Sequence, residues 1–236
     1  MWRSLILPVV AVAAFLWIQY HDAWFGPPRF LVCAGDGTPV RDAVVILRRA
    51  GAAKPDFSAR TLGDGWFRTP RDRIHDDTEM FVAAPACGVV RGRIPDDDRI
   101  VLPEGIAVTL RIEGDFELPP PPHALQLVVE PEGVARADEA LALAEAIVPQ
   151  AFRPGKDWKP ESMLLVDPAT RSVSILVPQS GRFAVRWNVG ARGHGTGTLW
   201  EGTGPPGKIP IEIREAGVTV SLEIPGDEIA KYAAMR

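Results

Sequence analysis

Two stretches, GDGTPVRDAVVIL from Gly35 and TLGDGWFRT from Thr61, constrain what this chain can fold into. Each sets an Asp-Gly step beside a short β-branched or aromatic run. Glycine adopts positive φ without a Cβ clash, and aspartate hydrogen-bonds its own downstream backbone, so Asp-Gly marks a tight turn. The run Ala43 to Leu47 is apolar and β-branched, the composition of a buried strand. The 23 prolines and 22 glycines are dispersed between such runs rather than gathered in one linker. That spacing belongs to many short strands joined by turns, and the predicted fold class is all-β.

Seven strands are predicted in the first half, over 30–34, 43–48, 58–62, 66–69, 79–84, 89–94 and 99–102. Their turn spelling, with the tail Ala84-Pro85-Ala86-Cys87-Gly88 before the penultimate strand, resembles the carboxypeptidase regulatory-like family. That family is a small transthyretin-like β-sandwich used as an accessory module on extracytoplasmic proteins. The resemblance covers 29–103, with Val89 at a position where the family usually has an aromatic. It implies a fold and an extracytoplasmic setting, and no activity.

The second half echoes the first. GIAVTLRI alternates apolar Ile106, Val108, Leu110 and Ile112, a period-2 strand. A proline-rich turn over 118–122 stands where Gly37-Thr38-Pro39 stood, and 124–129 follows as a strand. The strand 172–177 and then Gln179-Ser180-Gly181-Arg182-Phe183 repeat the x-G-x-F spelling of 61–67, which pairs Gly181 with Gly65. A strand over 218–225 closes the half as 99–103 closed the other. The expectation is a second, degenerate transthyretin-like sandwich over 104–236. Its one interruption is RADEALALAEAIV, a helical insertion at 136–148 with Asp138 as N-cap and Pro149 as stop. A loop over 155–160 carries Trp158, and a last helical turn or two starts near Asp227.

Residues 1–28 read as a membrane anchor and stalk. The apolar run from Leu5 to Ile18 extends from Ser4 to Tyr20 at its widest, just enough for the ~17–25 residues of a spanning helix. Ala11-Val12-Ala13 offers a signal-cleavage pattern but leaves Phe15-Leu16-Trp17-Ile18 on the mature end. Trp17, Tyr20 and Trp24 sit where interfacial aromatics hold a helix end. An uncleaved anchor is preferred to a cleaved signal with secretion, and both to a buried soluble helix. Arg3 precedes the run and no basic residue follows until Arg29, which puts the N-terminus in the cytoplasm and the bulk outside. The net charge of −4 argues against a nucleic-acid partner bound by phosphate neutralisation.

No motif names a catalytic, cofactor or metal site. Cys33 and Cys87 are too few for a zinc ribbon and too far apart for a C-x-x-C motif. They are either a disulfide, contributing about 4 kcal/mol by chain entropy, or two buried thiols. His21, His75, His123 and His194 lie in four separate contexts without metalloprotease spacing. His75-Asp76-Asp77 and Asp96-Asp97-Asp98 are acidic turns without EF-hand spacing. Gly202 to Lys208 matches half of a phosphate loop, but Ile209-Pro210 follow where a Ser or Thr and a helix are needed. Trp66, Trp158 and Trp200 fall at turn or loop positions, where an aromatic can stack on a sugar or a partner or simply pack between modules. The expected function is a membrane-anchored structural, adhesive or scaffold protein without enzymatic activity. The alternatives are a carbohydrate-binding module or an accessory subunit of an envelope assembly. Expected partners are the membrane and a protein or polysaccharide outside the cytoplasm.

Overall fold

The computed structural model describes residues 27–119, 123–150, 164–191, 202–203 and 207–234. The N-terminal apolar segment, Trp158, His194 and Trp200 lie outside these residues. Among the described residues no helix is long and apolar enough to cross a membrane.

The first sandwich contains β1 (Arg29–Ala34), β2 (Val44–Arg49), β3 (Phe57–Arg60), β4 (Trp66–Arg68), β5 (Thr78–Ala83), β6 (Val90–Arg93) and β7 (Arg99–Leu102), with one 3-10 turn at Arg71–Arg73. Its sheets have the orders β4-β1-β7 and β3-β2-β5-β6. Phe30 and Val32 of one sheet face Val45, Leu47, Met80 and Val82 of the other, and Phe67, Ile100 and Leu102 complete the core. The Asp-Gly turns form as their chemistry requires. The Asp36 carboxylate accepts from Thr38 N at 2.9 Å and the Asp64 carboxylate from Trp66 N at 3.2 Å. Gly37 and Gly65 take φ of 84° and 75°.

The second half contains β8 (Ile106–Glu113), β9 (His123–Pro131), α1 (Ala137–Ala146), β10 (Val148–Pro149), β11 (Leu164–Leu165), β12 (Ser172–Val177), β13 (Gly181–Ala191), β14 (Gly202–Thr203), β15 (Ile209–Ile213), β16 (Val218–Glu223) and α2 (Gly226–Ala234). One sheet has the order β10-β12-β8-β16, the other β11-β9-β13-β14, with β15 also on β13. Without β10 and β14, the orders β12-β8-β16 and β11-β9-β13-β15 reproduce β4-β1-β7 and β3-β2-β5-β6 strand for strand. Even the odd pairing recurs: β7 runs parallel to β1 and β16 parallel to β8, while the other ladders are antiparallel.

The topology corrects one equivalence expected from spelling. Gly65 precedes β4 and accepts from Val32 N of β1 at 2.9 Å. The residue in that place before β12 is Arg171, whose carbonyl accepts from Ile112 N of β8 at 2.8 Å and whose φ is also positive, 53°. Gly181 opens β13 instead, one turn later. The x-G-x-F spelling recurs because tight turns reuse glycine, not because the turns correspond.

Two further expectations change. Asp138 lies in the first turn of α1 and Arg136 holds the N-cap position with no side-chain cap. Pro149 does not stop the helix; α1 ends at Ala146, and Pro149 pairs with Ile175 in β10. Cys33 and Cys87 are free thiols. Val32 points into the core, so alternation turns Cys33 to the outer side of β1. Cys87 packs against the inner side, so the β4-β1-β7 sheet stands between the two sulfurs.

Candidate functional site

A cluster of ion pairs lies where α1 of the second half seats on the first sandwich. It starts from an unusual strand. Both faces of β2 are apolar: Val45 and Leu47 enter the core, while Ile46 faces outward yet is buried. Ile46, Phe81 and Ala83 of the outer sheet face receive Ala142, Leu143 and Ala146 of α1. The alanines let the helix approach closely, and burying Leu143 alone contributes about 2 kcal/mol.

One step along that outer face, Arg48 is only 2% exposed. Its guanidinium donates to Ala53 O at 2.6 Å, to Ala52 O at 3.3 Å and to the Asp138 carboxylate at 2.5 Å. Arg60 reaches Glu145 at 2.5 Å. Arg91 and Arg136 reach the buried Glu139 at 3.4 and 3.1 Å. Arg91 also lies over the Phe81 ring, 4.9 Å from its centroid. Asp138 and Glu139, in the first turn of α1, are where the helix dipole favours carboxylates.

Backbone contacts tie the halves together at a second place. Val89 N donates to Pro178 O at 3.1 Å, Gly105 N donates to Ala86 O at 3.2 Å, and Cys87 bridges to Glu104. A Cβ on Gly105 would stand 2.9 Å from Ala86 O, so glycine is what permits the approach.

Beside the ion pairs opens a cleft of about 500 Å³, bounded by Glu79, Phe81, Arg91, Arg93, Arg136 and Glu139, among others. Its arginines and carboxylates largely neutralise one another. Thr78, whose hydroxyl accepts from His75 N at 2.7 Å, also lines it, beside Asp77 and Glu79. Among the described residues no group of three His, Cys, Asp or Glu is placed to hold a metal ion.

Trp66 stands on the outward face of β4, 38% exposed, opposite Leu31 of β1. Lys208, at the end of the glycine-rich segment, donates to Glu130 at 2.7 Å, and Arg186 pairs with the same carboxylate. Burial pushes the Glu130 carboxyl up, but the Lys208 and Arg186 contacts outweigh it and hold the group below the usual glutamate value. Burial, aided by the charge of Asp36, pushes the Cys87 thiol up.

Arg48, Asp138 and Glu139 were not legible as a site in the sequence, because the partners lie 90 positions apart. The available signal was the unbroken apolar run of β2, which marks a strand covered on both faces.

No protein-family model matches the chain, and no curated protein is similar to it. Among solved structures it is similar to the Bacillus anthracis TIE protein, at 9% identity and a TM-score of 0.28, over 83% of this chain and 32% of that one. A streptococcal ancillary pilin gives 8% identity and a TM-score of 0.29 over 83% of this chain and 60% of that one. The major pilin subunit BcpA of Bacillus cereus gives 10% and 0.27 over 84% and 53%. The chain thus spans from about a third to three-fifths of these structures. Likenesses this distant decide nothing about its activity.

Proposed function

We propose that this chain is a membrane-anchored extracytoplasmic scaffold, in which two tandem transthyretin-like sandwiches act as a stiff spacer without catalytic chemistry. The observation that carries the reading is the parallel pairing of first and last strands, β1 with β7 and β8 with β16. A chain whose first and last strands are parallel enters a sandwich at one end and leaves it at the other. Each sandwich therefore adds length in the direction away from residues 1–28. The helix α1, seated by an apolar patch and ion pairs, resists bending between the halves. A spacer needs that resistance.

The test is protease accessibility combined with cross-linking in native membranes. The expected result is a chain that fractionates with membranes, is digested beyond Tyr20 only after the outer barrier is opened, and cross-links to neighbouring envelope components. Recovery of the full chain in the cytosol would overturn the location. Turnover of peptide, ester or glycoside substrates by the purified protein, lost on His194→Ala, would overturn the non-catalytic reading.

A further inference from the structure

The charges around the cleft beside α1 cancel as a whole but are unevenly placed. On the side of β6 and α1, Arg91 and Arg136 share the single carboxylate of Glu139, at 3.4 and 3.1 Å. Arg93 lies two residues along β6 from Arg91, faces the same way and makes no ion pair among the described residues. Three guanidinium groups there meet one carboxylate. At the start of β5 the balance is reversed. Asp77 and Glu79 line the cleft there, and neither side chain has an ion pair among the described residues. Arg48, on the far side of Glu79 in β2, is balanced by Asp138 at 2.5 Å and changes neither excess. The register sets Glu79 directly opposite Arg93, with Cα atoms about 5 Å apart. Both side chains are exposed, and they do not bond to each other.

We propose that this cleft binds the zwitterionic head of a free α-amino acid. Its volume of about 500 Å³ falls within the range of small-ligand sites, roughly 300–1,000 Å³. The ammonium of the ligand meets Glu79 and Asp77. Its carboxylate meets Arg93, whose planar guanidinium can take both oxygens. Ala50 and the hydrocarbon stems of the arginines leave an apolar border for an aliphatic side chain.

Charge separates this occupant from the others. A polyanion drawn to Arg91, Arg93 and Arg136 is repelled by Asp77 and Glu79, and a polycation meets the reverse. A zwitterion answers both excesses and adds no net charge to a cleft whose own charges cancel. The inference goes beyond the spacer reading and does not use it. Binding by the purified protein stands whether or not the chain fractionates with membranes, so the two tests fail separately.

The test is isothermal titration calorimetry of the full chain, purified in detergent, with L-leucine. The controls are N-acetyl-leucine, which lacks the cation, and leucinamide, which lacks the anion. Leucine is expected to bind with a Kd of about 100 μM or tighter, and each control at least about tenfold more weakly. Glu79→Gln should weaken leucine about tenfold and leave N-acetyl-leucine unchanged. Arg93→Gln should weaken leucine about as much and leave leucinamide unchanged. Both positions are exposed, so the unfolding midpoints should match the wild type. Absence of saturable leucine binding or equal affinity for leucine and both controls would overturn the proposal. So would a folded Glu79→Gln protein that loses leucine and N-acetyl-leucine equally.

Discussion

Replacing Arg48 by methionine removes the charge at the junction while keeping most of the side-chain volume. The guanidinium is 2% exposed and its three bonds join the β2–β3 turn to the first turn of α1. Breaking a fully buried ion pair costs about 3–5 kcal/mol because the abandoned partner stays desolvated. Here Asp138 retains 30% exposure and Ala53 faces solvent, so both acceptors rehydrate in part. The expected loss is therefore about 2 kcal/mol, below the buried limit. It is still well above the ~0.5 kcal/mol that a solvent-exposed pair contributes. The assay is urea unfolding of the full chain in detergent micelles, followed by tryptophan fluorescence, for Arg48→Met, Asp138→Asn and the double variant. The cycle should show at least ~1 kcal/mol of coupling. The single variant should also begin to separate the unfolding of the two halves, read by comparing it with its Trp66→Phe derivative. Trp66 is the one tryptophan of 29–103, while Trp158, Trp187 and Trp200 belong to 104–236. Additive losses within ~0.5 kcal/mol would refute the claim that this contact locks the halves together.

Three further outcomes follow from local geometry. Gly65→Ala places a Cβ 2.7 Å from Val32 O and 2.9 Å from Pro39 Cβ. With a φ of 75° it should lose at least about 2 kcal/mol. Gly181→Ala has no atom within 4 Å and should lose only its backbone strain, about 1 kcal/mol, in the same unfolding assay; the reverse order would refute the crowding argument. Intact mass should be the same with and without reductant, and Cys87 should alkylate more slowly at pH 7.5 than a small free thiol, because burial raises its pKa. Glu130→Gln should flatten the acid limb of stability. A carboxyl held below its unfolded value of about 4.5 stabilises the fold above that pH and loses the contribution as pH falls through the lower folded value. An unchanged profile between pH 5 and about 3 would contradict the Lys208–Glu130–Arg186 contact.

Strand positions were legible because each strand is a short apolar run punctuated by turn chemistry that acts locally. The strand expected at 99–102 is β7, and that expected at 172–177 is β12. The helical insertion was legible from its alanines, leucines and glutamates, although the stop was not. Proline bars a helix from continuing past it but does not require the helix to reach it, and Val148-Pro149 gain more by pairing with β12. The tandem repeat was legible in strand sequence and illegible in turn detail. Arg171 occupies a left-handed position that glycine fills in the first sandwich, and its side chain offsets the strain by donating to Gly114 O at 2.9 Å and lying 4.6 Å above the Phe116 ring.

What stayed hidden was the junction, and the reason lies in how burial is written along a strand. One-sided burial leaves alternation, as in β8, where Val108, Leu110 and Ile112 are buried while Arg111 and Glu113 face solvent. Two-sided burial erases it, as in β2 with Val45, Ile46 and Leu47 and in β5 with Met80, Phe81, Val82 and Ala83, all buried. β2 and β5 are neighbours in one sheet, so their unbroken runs together require a cover over its outer face. The runs cannot say which segment supplies that cover, since a non-local contact leaves no periodicity at either partner. Composition narrows the choice. The cover must bring small apolar residues for the strands and acids for Arg48, Arg60 and Arg91. Among the described residues α1, with Asp138, Glu139, Ala142, Leu143, Glu145 and Ala146 on the faces it turns toward the sheet, supplies both.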